Sequence, residues 1–361
     1  MAQAVSIRDV AAHAGVSVAT VSNVFNRPDI VASATRRRVE GAIAALGYMR
    51  NESARQLRLG QSRTIGLIVP DITNPFFTDV TRGVEDVVSA AGGMVIICNS
   101  DDDPDKESRY VTLLAEQRVQ GALVVPVSGS QAATARLRAR GIPVVLLDSS
   151  GATDDISSVS VNDIAGGRIA VAHLLANGHR RSAFLGAGSD APQAVDRTLG
   201  AHQAFRSAGR SPGDLQLLRT SGLNVDGGAR AAVEMLQRKS RARPTAVACV
   251  NDLLALGLLH ELIRSGVRVP DDIAIVGYDD ISFAQAAAVP LSSVRQPRRH
   301  LGRRAAELLL DECAGSTGHD RVVFEPELVI RASSVRRRGR ANRTMPVRPS
   351  REVGVAEELG A

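Results

Sequence analysis

The sequence has no tryptophan, only three cysteines and two lysines among 361 residues, and 3 % aromatic residues. Cysteines this few, without metal-ligand spacing, exclude a disulfide framework and a cysteine-based zinc site. Cys98 and Cys249 lie in apolar runs, so we expect both to be buried, in a reducing cytoplasm. No run of about 18 apolar residues occurs, which predicts no transmembrane helix. Residues 1–9 also lack the charged-then-apolar pattern of a signal peptide.

Length and charge divide the chain into parts. With 361 residues, 44 % hydrophobic and 23 % charged, it is typical of a folded protein of two or three units. The net charge of +6 is uneven: +4 over residues 1–60, +4 over 336–361 and −2 between them. A basic head favours an anionic polymer as partner, although an arginine-favouring, GC-rich genome explains the charge equally well. Residues 336–361 have no hydrophobic period and are predicted to be a disordered, solvated tail rather than a DNA contact.

The first 50 residues have the pattern of three short helices. Ser6 is placed to cap a helix that Gly15 ends, because glycine accepts the positive φ of a helix C-terminus. A second helix begins after Ser17, and a third spans about 33–46. In a helix-turn-helix, the second helix places its N-terminal residues in the major groove of DNA. The spacing alone also fits a generic three-helix bundle.

From residue 64, short apolar runs alternate with helical stretches, once over about 64–160 and again over about 181–290. This alternation predicts two lobes, each a doubly wound parallel α/β sheet, with a ligand cleft at the C-terminal ends of the strands. The predicted strands are 64–69, 94–98, 122–125, 144–147, 182–185, 246–250 and 273–276. The predicted helices are 76–91, 105–117, 164–177, 195–208, 228–238 and 255–265.

Three stretches resemble a known family. They are Ile7-Arg8-Asp9-Val10-Ala11 with Ala14-Gly15-Val16-Ser17, Thr20-Val21-Ser22 with Phe25-Asn26, and Gly47-Tyr48 with Asn51, Ala54-Arg55 and Leu57. The chain resembles the lactose-repressor/galactose-repressor (LacI/GalR) family, and the matches continue to about Ser333. The resemblance implies a helix-turn-helix domain over 1–50, a hinge helix over 51–62 and a two-lobed domain of the periplasmic-binding-protein type over 63–335. This last domain is expected to bind an effector and to dimerise. The chain is expected to cross between the lobes near Asn162, Gln296 and Phe324.

The resemblance assigns base reading to the second helix. Val18 and Ala19 are short and apolar, so they offer van der Waals contact, for instance to a thymine methyl group. Asn23 can bind an adenine edge through two hydrogen bonds. Many relatives carry arginine at the Asn23 position, so the operator sequence stays open. A core position is the alternative for Val18.

Further DNA contacts are expected from polar residues of this helix and from the hinge. Leu57 matches a leucine that the family inserts into the minor groove, and Ala54 lies one helical turn before it. Such a wedge partly unstacks a base step and bends the duplex. The residues assigned to phosphate and positioning contacts are Thr20, Ser22 and Asn26. Ser17 is also expected to bind DNA.

The resemblance also assigns an effector pocket. Phe76 and Phe77 are expected to be platforms for a ring face, and Gln296 is expected to reach the ligand from a crossover. Leu223 stands where relatives often have an aromatic residue, and Ser149 where several sugar binders have arginine; both departures favour a small or less polar ligand. The side chains expected to bind hydroxyl groups are Asp148, Arg197, Asn251 and Asp279.

Several charged residues have a structural alternative. A buried Arg197 needs an acidic partner, which Asp279 or a ligand can supply. Asp252 and Asp280 are interpreted as helix caps. The run 101–103 is interpreted as a solvated loop and helix cap, although Asp101 could border the cleft.

No motif favours an enzyme. The seven histidines show no metal spacing, and neither a Gly-x-Ser-x-Gly elbow nor a phosphate-binding loop occurs. The sequence therefore predicts no catalysis, no cofactor and no metal. The rival class is a solute-binding protein. Such a protein needs a signal peptide and lacks a DNA-binding head, and the sequence shows the reverse pattern.

We therefore expect a sequence-specific transcriptional regulator, a repressor of carbohydrate-metabolism genes controlled by a sugar effector. A homodimer is expected to bind a near-palindromic double-stranded operator, in the cytoplasm and on the nucleoid, with no membrane contact. Control by a non-sugar metabolite, such as a nucleobase or polyol, or by a protein co-regulator is the alternative. Helix 76–91 offers either a dimer surface or core packing through Val80, Val84, Val87 and Val88.

Overall fold

The computed structural model describes residues 5–48, 62–127, 131–149, 155–220 and 222–335. Two compact units, Met1–Ser62 and Arg63–Ala361, separate by their internal contacts. The predicted tail and most of the predicted hinge, with Ala54 and Leu57, lie outside the described residues.

The first unit contains the three predicted helices, α1 (Ile7–Ala14), α2 (Val18–Asn26) and α3 (Ser33–Leu46), with a 3-10 turn at Pro28–Ile30. Ser6 and Asp9 form a reciprocal capping box at the start of α1, and Gly15 ends this helix with a φ of 62°. The small apolar core comes from all three helices. Its fully buried members are Val10, Ala11, Ala14, Val21, Val24, Val39 and Ala42.

The second unit alternates strands and helices, as predicted. Its strands are β1 (Thr64–Val69), β2 (Met94–Asn99), β3 (Gly121–Val124), β4 (Val144–Leu147), β5 (Ser158–Val161), β6 (Ser182–Leu185), β7 (Gln216–Leu218), β8 (Ala246–Cys249), β9 (Ala274–Asp279), β10 (Ser292–Arg295), β11 (Arg321–Phe324) and β12 (Glu327–Val329). Its helices are α4 (Pro75–Ala90), α5 (Pro104–Glu116), α6 (Gln131–Arg138), α7 (Asp163–Ala176), α8 (Pro192–Ser207), α9 (Val225–Gln237), α10 (Asp252–Arg264), α11 (Ser282–Ala286) and α12 (Arg298–Cys313). Short 3-10 turns lie at Pro212–Asp214 and Ser240–Ala242.

The strands form two six-stranded sheets, which define lobe 1 and lobe 2. Lobe 1 has the strand order β11-β5-β4-β3-β1-β2, and its pairs are parallel. Lobe 2 has the order β12-β10-β9-β8-β6-β7, and only the pair β10–β12 is antiparallel. The chain passes between lobes after β5, after β10 and after β11, which confirms the three predicted crossovers.

Strand β12, the antiparallel edge strand of lobe 2, was not predicted. Its direction follows from the third crossover. Strand β11 ends at Phe324, and β12 begins at Glu327 after only two connecting residues. The chain therefore continues in one direction from lobe 1 into lobe 2. Strand β12 begins at the edge where the parallel strands of lobe 2 end.

Helices cover both faces of each sheet. On one face of lobe 1, α4 and α12 pack on the strands in a common apolar cluster. Val80, Val84 and Val88 are fully buried in this cluster, and Val87 packs against it. Of the two interpretations of this helix face, core packing is therefore correct.

Close helix packing in lobe 2 fixes the residues of the site described below. A Cβ on Gly167 of α7 would lie 2.0 Å from the carbonyl oxygen of Arg197 in α8. A Cβ on Gly200 of α8 would lie 2.0 Å from the carbonyl oxygen of Ile164. The two helices thus cross in backbone contact, which only glycine permits. The start of α7 is held against the middle of α8.

Cys98 and Cys249 are buried, as predicted. In the described part of the chain, no helix combines the length and apolar character that crossing a membrane requires.

Candidate functional site

The outer surface of α2 is the first candidate site. The Ser17 hydroxyl accepts a hydrogen bond from the Thr20 backbone N–H at 3.0 Å, which caps the helix. Val21 and Val24 face the core, whereas Val18 is 42 % exposed. The alternative of Val18 as a core residue is therefore wrong, and Ala19 beside it is exposed as well.

The polar side chains of α2 differ in their availability. The Thr20 hydroxyl lies 2.9 Å from the Ser17 hydroxyl, and the Asn26 amide donates to the Ser22 hydroxyl at 3.2 Å. Asn23 is half-buried, and its amide makes no hydrogen bond to a described residue. The Asn23 amide is therefore free to bind an external acceptor or donor.

The second candidate site is a cavity of about 570 Å³ between the lobes, within the range of small-molecule sites. It lies where β1, β4, β8 and β9 end, because Pro70, Asp148, Val250 and Asp279 line it. The other residues that line it are Asp71, Thr73, Asn74, Phe76, Phe77, Asp101, Asp102, Ala191, Gln193, Ala194, Arg197, Gly222, Leu223, Asn224 and Asn251.

Seven of the eight residues predicted to bind the effector line this cavity, and Gln296 does not. Gln296 is buried behind Asp279, and its Nε2 donates to the Asp279 Oδ1 at 2.7 Å. Gln296 therefore supports Asp279, and its contact with a ligand stays a prediction. Phe76 and Phe77 stand edge to face, with ring centroids 4.9 Å apart.

Arg197 is the centre of a buried network. Its Nε donates to the Asp163 Oδ1 at 2.7 Å and its Nη1 to the Val250 carbonyl at 2.8 Å. The guanidinium carbon lies 3.7 Å from the centroid of the Tyr278 ring, and the Tyr278 hydroxyl also donates to the Asp163 Oδ1. Asp279 Oδ1 is more distant, 3.9 Å from Nη1. The main partner of Arg197 is thus Asp163, not the predicted Asp279.

Sequence reasoning missed Asp163 and Gln193, although both left a signal. Asp163 directly follows the crossover residue Asn162, at the start of a helix. Gln193 lies four residues before Arg197, on the same face of α8. Its Nε2 donates to the Asp148 backbone carbonyl and, at 3.3 Å, to the Asp148 Oδ2.

Asp148 and Asp279 are buried carboxylates that follow or end strands, with left-handed φ values of 52° and 106°. Burial raises the pKa of Asp148 to about 7, and the negative charge of Asp163 adds to this effect. Burial also raises the pKa of Asp279 to about 6, against the opposing charge of Arg197. The Asp148 Oδ1 is buried without a hydrogen-bond partner among the described residues.

At the mouth of the cavity, the run 101–103 has two roles. The Asp103 carboxylate accepts from the Asp105 N–H at 2.8 Å and caps α5, as predicted. Asp101 and Asp102 lie in an exposed turn, as predicted, and both also line the cavity. Burial raises the pKa of Asp102, and the charges of Asp71 and Asp101 raise it further.

Asn251 connects the cavity wall to a helix. Its Oδ1 accepts from the Leu254 N–H at 2.9 Å and caps α10, while its Nδ2 donates to the Leu223 carbonyl at 2.7 Å. Asn251 therefore fixes the segment that carries Leu223, in addition to lining the cavity.

The expected capping roles of Asp252 and Asp280 are wrong. Asn251, not Asp252, caps α10, and the Asp252 carboxylate accepts from the Ile281 N–H and the Ser293 hydroxyl. Asp280 forms ion pairs with two arginines of lobe 2, which are Arg295 and Arg331. Both aspartates join neighbouring segments of the lobe rather than helix ends.

Family models match a part of each of the two units of the chain. Residues 6–51 match the family model for bacterial regulatory proteins of the lacI family, and residues 171–334 match the periplasmic binding protein-like domain. The chain is 36 % identical to the HTH-type transcriptional repressor PurR of Photobacterium profundum over 331 residues, which are 91 % of this chain and 98 % of that protein.

Two solved structures are similar over most of the chain. A lac repressor dimer bound to operator and the anti-inducer ONPF is 28 % identical, with a TM-score of 0.81, covering 92 % of this chain and 100 % of that one. A complex of the transcriptional regulator CelR with cellobiose is 32 % identical, with a TM-score of 0.68, covering 91 % of this chain and 99 % of that one. Among the residues that the structure describes, no group of His, Cys, Asp or Glu is arranged to hold a metal ion.

Proposed function

The chain belongs to the LacI family of DNA-binding transcriptional repressors, and we propose that it represses carbohydrate-metabolism genes under the control of a sugar. The family consists of regulators, so the chain is a repressor and not an enzyme. The cavity between the lobes carries the proposal. It has the volume of a small-molecule site and combines an aromatic pair with buried carboxylates and one buried arginine.

Operator reading is assigned to α2. Val18 and Ala19 are exposed at its start, and the Asn23 amide is free of hydrogen bonds to described residues. In this proposal Asn23 binds a base edge and the two apolar side chains contact a thymine methyl group. The polar contacts to phosphates come from Ser17, Thr20, Ser22 and Asn26.

The proposed role of the hinge rests on the sequence, because Ala54 and Leu57 lie outside the described residues. Leu57 is assigned as the minor-groove wedge, with Ala54 one turn before it. The Leu57→Ala variant is expected to weaken operator binding far more than binding to random DNA, because only a bent operator uses the wedge. Equal losses on both DNAs, measured by fluorescence anisotropy, would contradict the wedge.

A sugar fits the chemistry of the cavity. The Phe76–Phe77 pair offers an apolar surface to a ring face, while Asp148, Asp279 and Arg197 offer acceptors and donors to hydroxyl groups. The similar CelR structure holds cellobiose, which supports this ligand class. Leu223, where relatives often have an aromatic residue, leaves one wall aliphatic.

The test is a thermal-shift screen of the full chain against pentoses, hexoses, disaccharides, polyols and purines. A ligand at 100 times its dissociation constant adds about 2.7 kcal/mol of stability. The expected result is that one sugar stabilises the protein and changes operator affinity, and that Arg197→Lys, which keeps the charge but loses the planar fork, greatly reduces both effects. Stabilisation by a purine alone, or by no compound, would contradict the sugar; a response only to an added protein would favour a co-regulator.

The proposal includes a homodimer that binds a near-palindromic operator on the nucleoid, in the cytoplasm. The similar lac repressor structure is a dimer on operator DNA. The edge strand β2 exposes Met94, Ile96 and Ile97, an apolar edge of the kind that proteins normally cover. The Ile97→Glu variant is expected to shift the molar mass from dimer to monomer in light scattering, and an unchanged mass would exclude this edge.

A further inference from the structure

The charges that line the cavity are unbalanced. Among the described residues that line it, five are aspartates, and Arg197 alone is cationic. The aspartates are Asp71, Asp101, Asp102, Asp148 and Asp279. One further cation, Lys106, forms an ion pair with Asp101 at the mouth. Arg298 acts on Asp279 from outside the lining set. Three cations do not neutralise five carboxylates together with Asp163, so the cavity has a negative potential.

The charge of Arg197 is shared among several carboxylates, because it acts on Asp163, Asp279 and Asp148. Its shortest contact to a carboxylate is with Asp163, at 2.7 Å, and Asp163 lies outside the set that lines the cavity. Asp279 lies 3.9 Å from the guanidinium and takes a hydrogen bond from Gln296. Asp148 forms no ion pair with a described residue; its side-chain donor is the neutral amide of Gln193.

Asp148 supplies an independent indication of a ligand group. The residue is only 4 % exposed, lines the cavity, and has its Oδ1 without a hydrogen-bond partner among the described residues. A buried carboxylate oxygen that lacks a donor is unfavourable. Because Asp148 lines the cavity, a group bound there can supply this donor.

The type of donor follows from the charge. A hydroxyl group can donate to the Asp148 Oδ1, but it brings no charge to neutralise this carboxylate in its ionised form. An ammonium group both donates and neutralises, and charge-assisted hydrogen bonds are the stronger kind. The neighbouring Phe76 and Phe77 rings add surface that attracts cations. A phosphate or carboxylate group on a ligand meets repulsion instead.

We propose that the effector carries an ammonium group that pairs with Asp148, as in an amino sugar or a small amino alcohol, and that phosphorylated or acidic sugars are excluded. The inference rests on the proposed function, because it takes this cavity as the effector site. It narrows the ligand class from sugars in general to amine-bearing polyhydroxylated compounds.

The test compares matched ligands by isothermal titration calorimetry with the full chain. The pairs are glucosamine with glucose and galactosamine with galactose, and ethanolamine and glucose 6-phosphate complete the panel. At least one amine is expected to bind ten times more tightly than its neutral counterpart, and glucose 6-phosphate is expected not to bind. If neutral sugars bind as well as the amines, or if no amine binds, this inference is wrong while the proposed sugar control stands wherever a neutral sugar stabilises the protein. If no sugar or amine binds at all, both are wrong.

A variant pair locates the effect. Asp148→Asn keeps the size of the side chain, and asparagine tolerates the left-handed backbone of this position. This variant is expected to lose the preference for the amine by at least tenfold while binding of the neutral analogue changes less. Asp214→Asn removes the same charge from an exposed position outside the cavity and is expected to bind like the unmodified chain. An unchanged amine preference in Asp148→Asn would overturn the assignment to Asp148.

Discussion

The Asp148→Asn substitution is expected to stabilise the ligand-free protein, and more so as the pH rises. In the folded protein, burial raises the pKa of Asp148 to about 7, whereas an unfolded aspartate has a pKa of about 3.9. Between these values the folded state holds a proton that the unfolded state has released. The contribution of Asp148 to folding is therefore complete below about pH 4 and is lost as the pH rises towards 7.

The size of the effect follows from proton linkage. One proton bound by the folded state alone changes the free energy of unfolding by at most about 1.4 kcal/mol per pH unit. Asparagine binds no proton, so the stability of Asp148→Asn relative to the unmodified chain is expected to rise by about 1.4 kcal/mol per pH unit from pH 5 and to level off above pH 7. For a unit of this size, 1 kcal/mol shifts the midpoint of thermal unfolding by roughly 2–4 °C.

The assay is thermal unfolding followed by circular dichroism at half-unit steps from pH 5 to pH 8, without ligand. Asp214→Asn is the control, because its carboxylate is exposed and the variant is expected to follow the unmodified chain at every pH. A gap between Asp148→Asn and the unmodified chain that stays constant with pH would refute the reasoning. It would mean that Asp148 is ionised in the folded state across the whole range.

Three further predictions concern other parts of the chain. Asn23→Ala is expected to relax selectivity at one symmetric base position of the operator by about 1–3 kcal/mol, and an unchanged base preference in a binding-site selection would exclude the assignment. Gly167→Ala is expected to lower the free energy of unfolding by about 1–3 kcal/mol or more, because its Cβ would lie 2.0 Å from a carbonyl oxygen of α8. The control is Gly41→Ala, a helical position where the new Cβ meets no atom within 4 Å. In urea unfolding this control is expected to raise the free energy of unfolding by roughly 0.5–1 kcal/mol. Tyr278→Phe removes a buried hydrogen bond to Asp163 and is expected to lower the free energy of unfolding by about 1 kcal/mol, whereas no change would mean that Asp163 needs only its arginine partner.

Local rules were sufficient for the elements that depend on short-range chemistry. The Ser6 cap, the Gly15 stop and the Ser17 cap are contacts within a few residues, so their spacing is visible in the sequence. The apolar runs of the central strands were equally clear. Helix α12 (Arg298–Cys313) was not predicted from the pattern, because its many charged residues mask the buried stripe that includes Leu301 and Leu309.

Long-range partners were harder to predict than the residues themselves. Family resemblance indicated Arg197, but nothing in the local pattern shows that its carboxylate partner lies 34 residues earlier, at Asp163. The same limit applies to Gln296, which the crossover brings beside Asp279 rather than to the cavity. Pairings of this kind depend on how two lobes and three crossovers meet, and a single sequence does not encode that geometry as a local pattern.

The carboxylates that line the cavity share a physical feature, which is a charged group kept under unfavourable conditions. Asp101, Asp102, Asp148 and Asp279 all have a positive φ and line the cavity. Burial, together with the charge of neighbouring carboxylates, raises the pKa of the last three. A side chain selected only for stability would be neutral at position 148, as in the Asp148→Asn variant. A carboxylate that destabilises the empty protein yet lines its main cavity is consistent with a free-energy gain on ligand binding. The expected rise in stability of Asp148→Asn and its expected loss of amine binding are therefore two consequences of one buried charge. If Asp148→Asn became more stable but still preferred the amine, the buried charge would destabilise the empty protein without determining which ligand binds.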